Sequence, residues 1–299
     1  MDALIQLLDV LKTSIQQGLL YSILTLGLVV TFYVIRYPDL TVDGSFAIGA
    51  AIAAAAAEFY RMPWSGLVFA TIGGAAAGFL TSFLSERLGV NRLLSGILVM
   101  TGLYSICLRV MTRSNIPLKG SNNILSSFEG HGYSYVVVTG LFLLVSLVLY
   151  ALVYWLLRSE YGLYLRAVGP SADIVSAMGR NEKALVTTGL VVANGLTGLC
   201  GALAAHQYGL ADVNMGSGML IAGLAALYLG SSLVRRIRTV ANIMVGAVVG
   251  SIIYQLVKNA ALRVGLNTND LKLITAVLVV VALLFRSRRQ GNDGEGSFL

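Results

Sequence analysis

The chain is built almost entirely from continuous apolar runs of about 20 residues, separated by short polar breaks. A helix needs about 20 apolar residues to cross the roughly 30 Å hydrocarbon layer of a bilayer. Every backbone polar group must be satisfied within that layer, so only helices and closed barrels span it. The runs are continuous, with none of the in–out alternation of barrel strands. An all-α polytopic membrane protein follows.

Composition agrees. Of 299 residues, 57% are hydrophobic and 12% charged, where soluble domains carry about 25% charge. Spans are predicted at about 14–35, 44–60, 64–86, 92–113, 134–158, 183–206, 217–234, 239–261 and 268–285. Nine is the expected number, within a range of eight to ten. Residues 1–289 are expected to form one transmembrane domain. The Gly-rich tail 290–299 is expected to be disordered. No cationic flank precedes the first apolar run and no small-residue cleavage site follows it, so no removable signal peptide is expected.

The net charge of +7 does not point to nucleic acid, because the basic residues sit singly or in short groups between spans. They read as topology signals. Arg158, Arg166, Arg180 and Lys183 precede the sixth span. Arg235, Arg236 and Arg238 follow the seventh, and Arg286, Arg288 and Arg289 follow the ninth. All three groups fall on one side, the cytoplasmic one, if Met1 lies outside and Leu299 inside. Loop 114–133, rich in Ser, Asn and Gly, is then external and the expected docking surface. Cys107 and Cys200 fall inside spans and read as small buried hydrophobes. His206 ends the sixth span and reads as a solvated or capping residue. Asn194, Gln16 and Gln17 read as interhelical hydrogen-bonding groups.

The chain carries a weak internal repeat. "PDLTVDGSFAIGA" before the second span holds Asp39, Thr41, Asp43 and Ser45. "ADVNMGSGMLIAG" before the seventh holds Asp212, Asn214, Gly216 and Ser217. The third span carries Gly74-x-x-x-Gly78 and the eighth Gly246-x-x-x-Gly250, a spacing that favours close helix packing. The corresponding spans run in opposite directions, so spans one to four and six to nine read as inverted copies, a transporter signature. Asp39, Thr41, Asp43, Ser45, Asp212 and Asn214 are therefore candidates for a translocation path or gate, with interface loops as the plainer alternative.

The stretch "LRAVGPSADIVSAMGRNEK" breaks the apolar pattern. Gly169 and Pro170 stop a helix. Ser171 is placed to cap a new one through its hydroxyl, with Asp173 in the first turn. Gly179 closes the helix in a left-handed conformation. A helix over about 170–179 is too short to stand alone in water and needs a surface to grip. From the residues alone, that surface is equally lipid headgroups or protein, the latter being the rest of the membrane domain or another chain.

Here the chain resembles the permease subunits of ATP-binding-cassette importers, of the branched-chain amino acid and ribose permease type. Arg166, Ala167, Gly169, Ala177 and Gly179 match that family's coupling loop. Residues 38–50 are similar to its segment before the second span, and to a subgroup assigned to tryptophan or tyrosine. The resemblance implies that 170–179 is a coupling helix docking into a cytoplasmic ATPase subunit. Ile174 and Met178 would then be its apolar knobs, and Arg166, Asp173 and Arg180 would orient it by charge. It also implies a pair of permeases, identical or similar, and an extracytoplasmic binding protein delivering a small solute. The chain has no G-x-x-x-x-G-K-[ST] phosphate loop, no catalytic motif and no metal-ligand spacing. No cofactor is expected and the ATPase is expected on another chain. The rival readings are a stand-alone secondary transporter or channel, for which no mid-span carboxylate is evident, and an enzyme embedded in lipid.

Overall fold

The structure is a computed structural model that describes residues 2–118, 123–125, 134–233, 239–265, 273, 275–277, 279 and 280. Its helices are α1 (Asp2–Leu28, continued by a π-helical stretch Val29–Val34), α2 (Val42–Tyr60) and α3 (Pro63–Ser82, continued by Phe83–Arg87). Then follow α4 (Arg92–Met111), α5 (Ser134–Arg158), α6 (Glu160–Val168), α7 (Ala172–Ala177), α8 (Glu182–Tyr208), α9 (Met219–Leu233) and α10 (Val240–Arg263). Seven of the described helices are long and apolar enough to cross a membrane. The ninth expected span lies largely outside the described residues, as do Arg235, Arg236, Arg238, Arg286, Arg288, Arg289, His131 and the tail.

At the seventh expected span, helix begins at Met219 and is described as far as Leu233, 15 residues that rise about 22 Å at about 1.5 Å each. The chain before it runs into the bundle before turning helical. Two short strands, β1 (Asn115–Pro117) and β2 (Leu210–Asp212), pair antiparallel beside it. No alternating pattern signalled them.

α2 and α8 form the centre. The stripe Ser45, Gly49 and Ala53 of α2 lies along Asn194, Gly198 and Ala202 of α8. The run Ala53–Ala57 is buried throughout. α5, the most apolar span, is also the most exposed. Lipid tails are as apolar as leucine, so burial between helices depends on fit and not on hydrophobicity.

Fit is set by glycine. A side chain at Gly74 would strike the carbonyl of Asn194, and one at Gly78 that of Leu190, so α3 and α8 touch backbone to backbone. Gly250 of α10 faces the Ala226 carbonyl and Gly230 of α9 faces that of Gly246. The two Gly-x-x-x-Gly pairs thus both serve close packing, but against non-equivalent partners. The inverted pattern survives at the level of neighbours: α3 packs on α2 and α8, and α10 packs on α9 and α1.

Replacing Gly74 by Leu is expected to lower unfolding stability in detergent by about 3 kcal/mol through overpacking. Gly102, with nothing near its absent Cβ, should accept Ala with a change under about 1 kcal/mol. Equal effects at the two positions would contradict the packing account.

Candidate functional site

The residues between α1 and α2 enter the bundle as a non-helical segment. Asp39 is fully buried there, and its carboxylate is shared out. Oδ1 accepts from the Thr41 backbone N–H at 2.8 Å, and Oδ2 accepts from Asn194 Nδ2 at 2.6 Å. Asn194 Oδ1 in turn accepts from Ser45 Oγ at 2.6 Å. The Thr41 hydroxyl pairs with that of Thr81 at 2.6 Å. Asn194 sits near the midpoint of α8, so this is a polar knot at the centre of the bundle. The sequence reading missed a carboxylate at that depth, because Asp39 reaches it on a non-helical segment and not on a span.

The second copy repeats the turn. Asp212 Oδ1 accepts from the Asn214 N–H at 2.7 Å, the same two-residue Asx geometry that Asp39 makes with Thr41. Residues 213–218 then pass inward until Gly216 lies against the Asp43 carbonyl. Asp43 closes the join. Its Oδ2 accepts from Gly218 N–H at 2.9 Å and its Oδ1 from Leu220 N–H at 2.7 Å. These are free donors of the first turn of α9, which a carboxylate satisfies while also meeting the positive end of the helix dipole.

Two cavities meet at this join. One, of about 420 Å³, lies between α1, α9 and α10 and includes Tyr21, Thr25, Asp43, Ser251, Gln255 and Lys258 in its wall. The other, of about 290 Å³, is bounded by Asp43, Gly44, Met100, Tyr104, Asn214 and Ser217. Asp43 and Ser217 belong to both. Of the six path candidates, Asp43 and Asn214 face a cavity, Asp39, Thr41 and Ser45 are buried in the knot, and Asp212 is half-buried beside β1. Tyr21, Thr25, Ser251, Tyr254, Gln255 and Lys258 went unnoticed in the sequence. Lys258 gave a signal, being a charge inside an apolar span.

The α6–α7 region lies at the other functional end. Helix α7 covers Ala172–Ala177, shorter than expected, and Gly179 takes the left-handed conformation (φ 73°). Ser171 is extended but caps nothing with its hydroxyl; its ψ is 91°, against 166° at Ser159, whose Oγ does accept from Gly162 N–H. Val175 is buried and pins α7 to the bundle, while Ile174 and Met178 are 57% and 65% exposed. Asp173 is exposed. Arg166 Nε donates to its own helix at Gly162 O, 3.4 Å away, and the Arg180 guanidinium lies 4.8 Å from the Tyr164 ring centre. Gly169 abuts the Val34 carbonyl. Both arginines thus also brace the local structure.

His206 is buried, not solvated as expected. Its Nδ1 accepts from Ile124 N–H at 3.4 Å and its carbonyl from Asn123 Nδ2 at 2.9 Å. Of loop 114–133, the described Ile116, Leu118, Ile124 and Leu125 are also buried. They belong to the fold and not to a free docking surface.

The sequence model of the family described as branched-chain amino acid transport system / permease component matches residues 10–284. The chain belongs to that family. This permease is 35% identical over 267 residues to a tyrosine transport system permease protein of Clostridioides difficile (strain R20291), covering 89% of this chain and 88% of that one. It is 30% identical over 280 residues to an uncharacterised protein of Rickettsia prowazekii (strain Madrid E), covering 92% and 97%. No solved structure matches. The permease is a multi-pass protein of the inner membrane.

Asp39→Ala would leave the Thr41 N–H and one of the two Asn194 Nδ2 hydrogens without their acceptor inside the bundle, the other still bonding the Leu190 carbonyl. An unsatisfied buried donor costs about 1–3 kcal/mol. The variant is expected to unfold about 2 kcal/mol more easily in detergent, and Asn194→Leu to lose a similar amount. Wild-type stability in both would contradict the knot's structural role.

Proposed function

We propose that the permease is the membrane subunit of an ATP-binding-cassette importer that brings an amino acid into the cytoplasm. Two copies, or one copy and a similar partner, form the unit. A separate ATPase chain grips α7 from the cytoplasm, and an extracytoplasmic binding protein delivers the solute at the β1–β2 end. The tyrosine permease relative supports an aromatic amino acid as cargo. Met1 then lies outside and α6–α7 inside.

The observation that carries this reading is the split face of α7. Val175 is fully buried, while Ile174 and Met178 stand out at the end of the molecule that bears Arg158, Arg166, Arg180 and Lys183. A short helix held from behind, with two large apolar knobs in front, suits a groove in a partner and transmits a rigid-body push. Asp43 and Ser217, where the two cavities meet, are suited to gating the path. A gradient-driven transporter would use a carboxylate such as Asp39. Both its oxygens are taken by Asn194 and Thr41, and it faces neither of the two cavities.

The double substitution Ile174→Asp, Met178→Asp touches only exposed positions and should leave folding intact. It is expected to abolish co-purification of an ATPase subunit and to lower solute uptake to background. Uptake into right-side-out vesicles should require ATP loaded inside, on the α7 side. Uptake driven by a proton or sodium gradient alone would contradict the importer reading.

A further inference from the structure

The larger cavity holds a pair of groups that neither the family match nor the path candidates use. Gln255 and Lys258 lie three residues apart on α10, so their side chains rise from the same face, with Cβ atoms about 5–6 Å apart. Both contribute to the cavity wall. Gln255 is only 2% exposed, yet its side-chain Oε1 has no hydrogen-bond donor among the described residues. Lys258 makes no ion pair or hydrogen bond among the described residues. The other charged group of this wall, Asp43, is engaged by the first turn of α9. A lysine this close to a helix end ordinarily extends its amine to the headgroups. Here it is half-buried beside Tyr254 and Gln255.

An orphaned acceptor and an unpaired cation side by side ask for complementary partners: a donor for the amide oxygen and an anion for the ammonium. We infer that Gln255 and Lys258 form a seat for the head group of an α-amino acid within the membrane domain. The substrate carboxylate meets Lys258 Nζ and the substrate ammonium donates to Gln255 Oε1. The two substrate groups hang from one carbon, which suits a pair of wall residues one helical turn apart. The remaining wall takes the side chain. Leu24, Met219, Ile221 and Ala222 give it an apolar surface, and Tyr21 and Tyr254 add rings. A free sugar has no anion for Lys258, and a simple carboxylate leaves Gln255 without its donor. The seat therefore selects zwitterions with apolar or aromatic side chains. It rests on the amino-acid importer reading and adds a place where the solute pauses after leaving its binding protein.

The test uses the full chain in nanodiscs, without any binding protein. Binding is measured for L-tyrosine, for tyramine, which lacks the carboxylate, and for 3-(4-hydroxyphenyl)propionate, which lacks the ammonium. The wild type should prefer L-tyrosine at least about tenfold over either analogue, the order expected for a charge-assisted hydrogen bond. Lys258→Met should lose its preference over tyramine and keep that over the propionate. Gln255→Leu should do the reverse, and Lys258→Arg should retain both. A wild type that does not discriminate, or variants that discriminate as it does, would overturn the seat. Uptake of L-tyrosine by cells dependent on this chain separates the two levels. Uptake without nanodisc discrimination sinks the seat alone. If such cells take up no amino acid, the importer's cargo falls and the seat with it.

Discussion

The N-terminus of α9 starts within the bundle, at the wall shared by the two cavities, where its first N–H groups need acceptors. Asp43 satisfies two of them, at Gly218 and Leu220, with one carboxylate. A buried backbone donor left unsatisfied costs about 1–3 kcal/mol, so an acceptor at this place favours a helix that begins at that depth. The acceptor comes from the first turn of α2, on the other structural repeat. One contact therefore fixes the depth of α9, joins the two halves and sits where the two cavities meet. Whatever moves α2 relative to α9 must break or carry this contact.

Close backbone contact supplies the stiffness around that join. Gly74, Gly78 and Gly198 bring α3 onto α8, and Gly216 lets the re-entrant chain lie on α2. Between lipid-soluble helices there is no hydrophobic gain to hold them, so van der Waals fit and the Asp39–Asn194–Ser45 knot take that role. The path from α7 to the centre is short. Gly169, just before α7, lies on the Val34 carbonyl at the end of α1, and the chain from Val34 leads directly to Asp39. Under the proposed function, a push on α7 would cross one packing contact, Gly169 on Val34, and then follow continuous backbone to the knot.

Much of the architecture was legible in the sequence, because bilayer thickness fixes helix length and continuous apolar runs report it. The left-handed turn at Gly179 followed from local patterning, and Ile174 and Met178 were singled out through the family resemblance. The depth of a polar residue did not. Asp39 and Asp212 look alike in sequence as loop aspartates; one is buried at the bundle centre and the other is half-buried beside β1. Only tertiary packing separates them. The Ser171 hydroxyl failed as a cap because a capping residue type does not determine ψ. Gln255 and Lys258 were overlooked because each sits alone in an apolar run, and their meaning comes from the cavity that faces them.

The contact at the head of α9 is open to direct measurement by amide hydrogen exchange of the intact permease in nanodiscs, read on peptides covering residues 213–223. Wild-type Gly218 and Leu220 should exchange slowly, and Asp43→Ala should accelerate both while leaving the Ala172–Ala177 helix unchanged. Asp43→Asn, which keeps one acceptor oxygen, should fall between. Equal exchange in all three proteins would mean that α9 does not depend on Asp43, and the account of how the two halves are joined would be wrong.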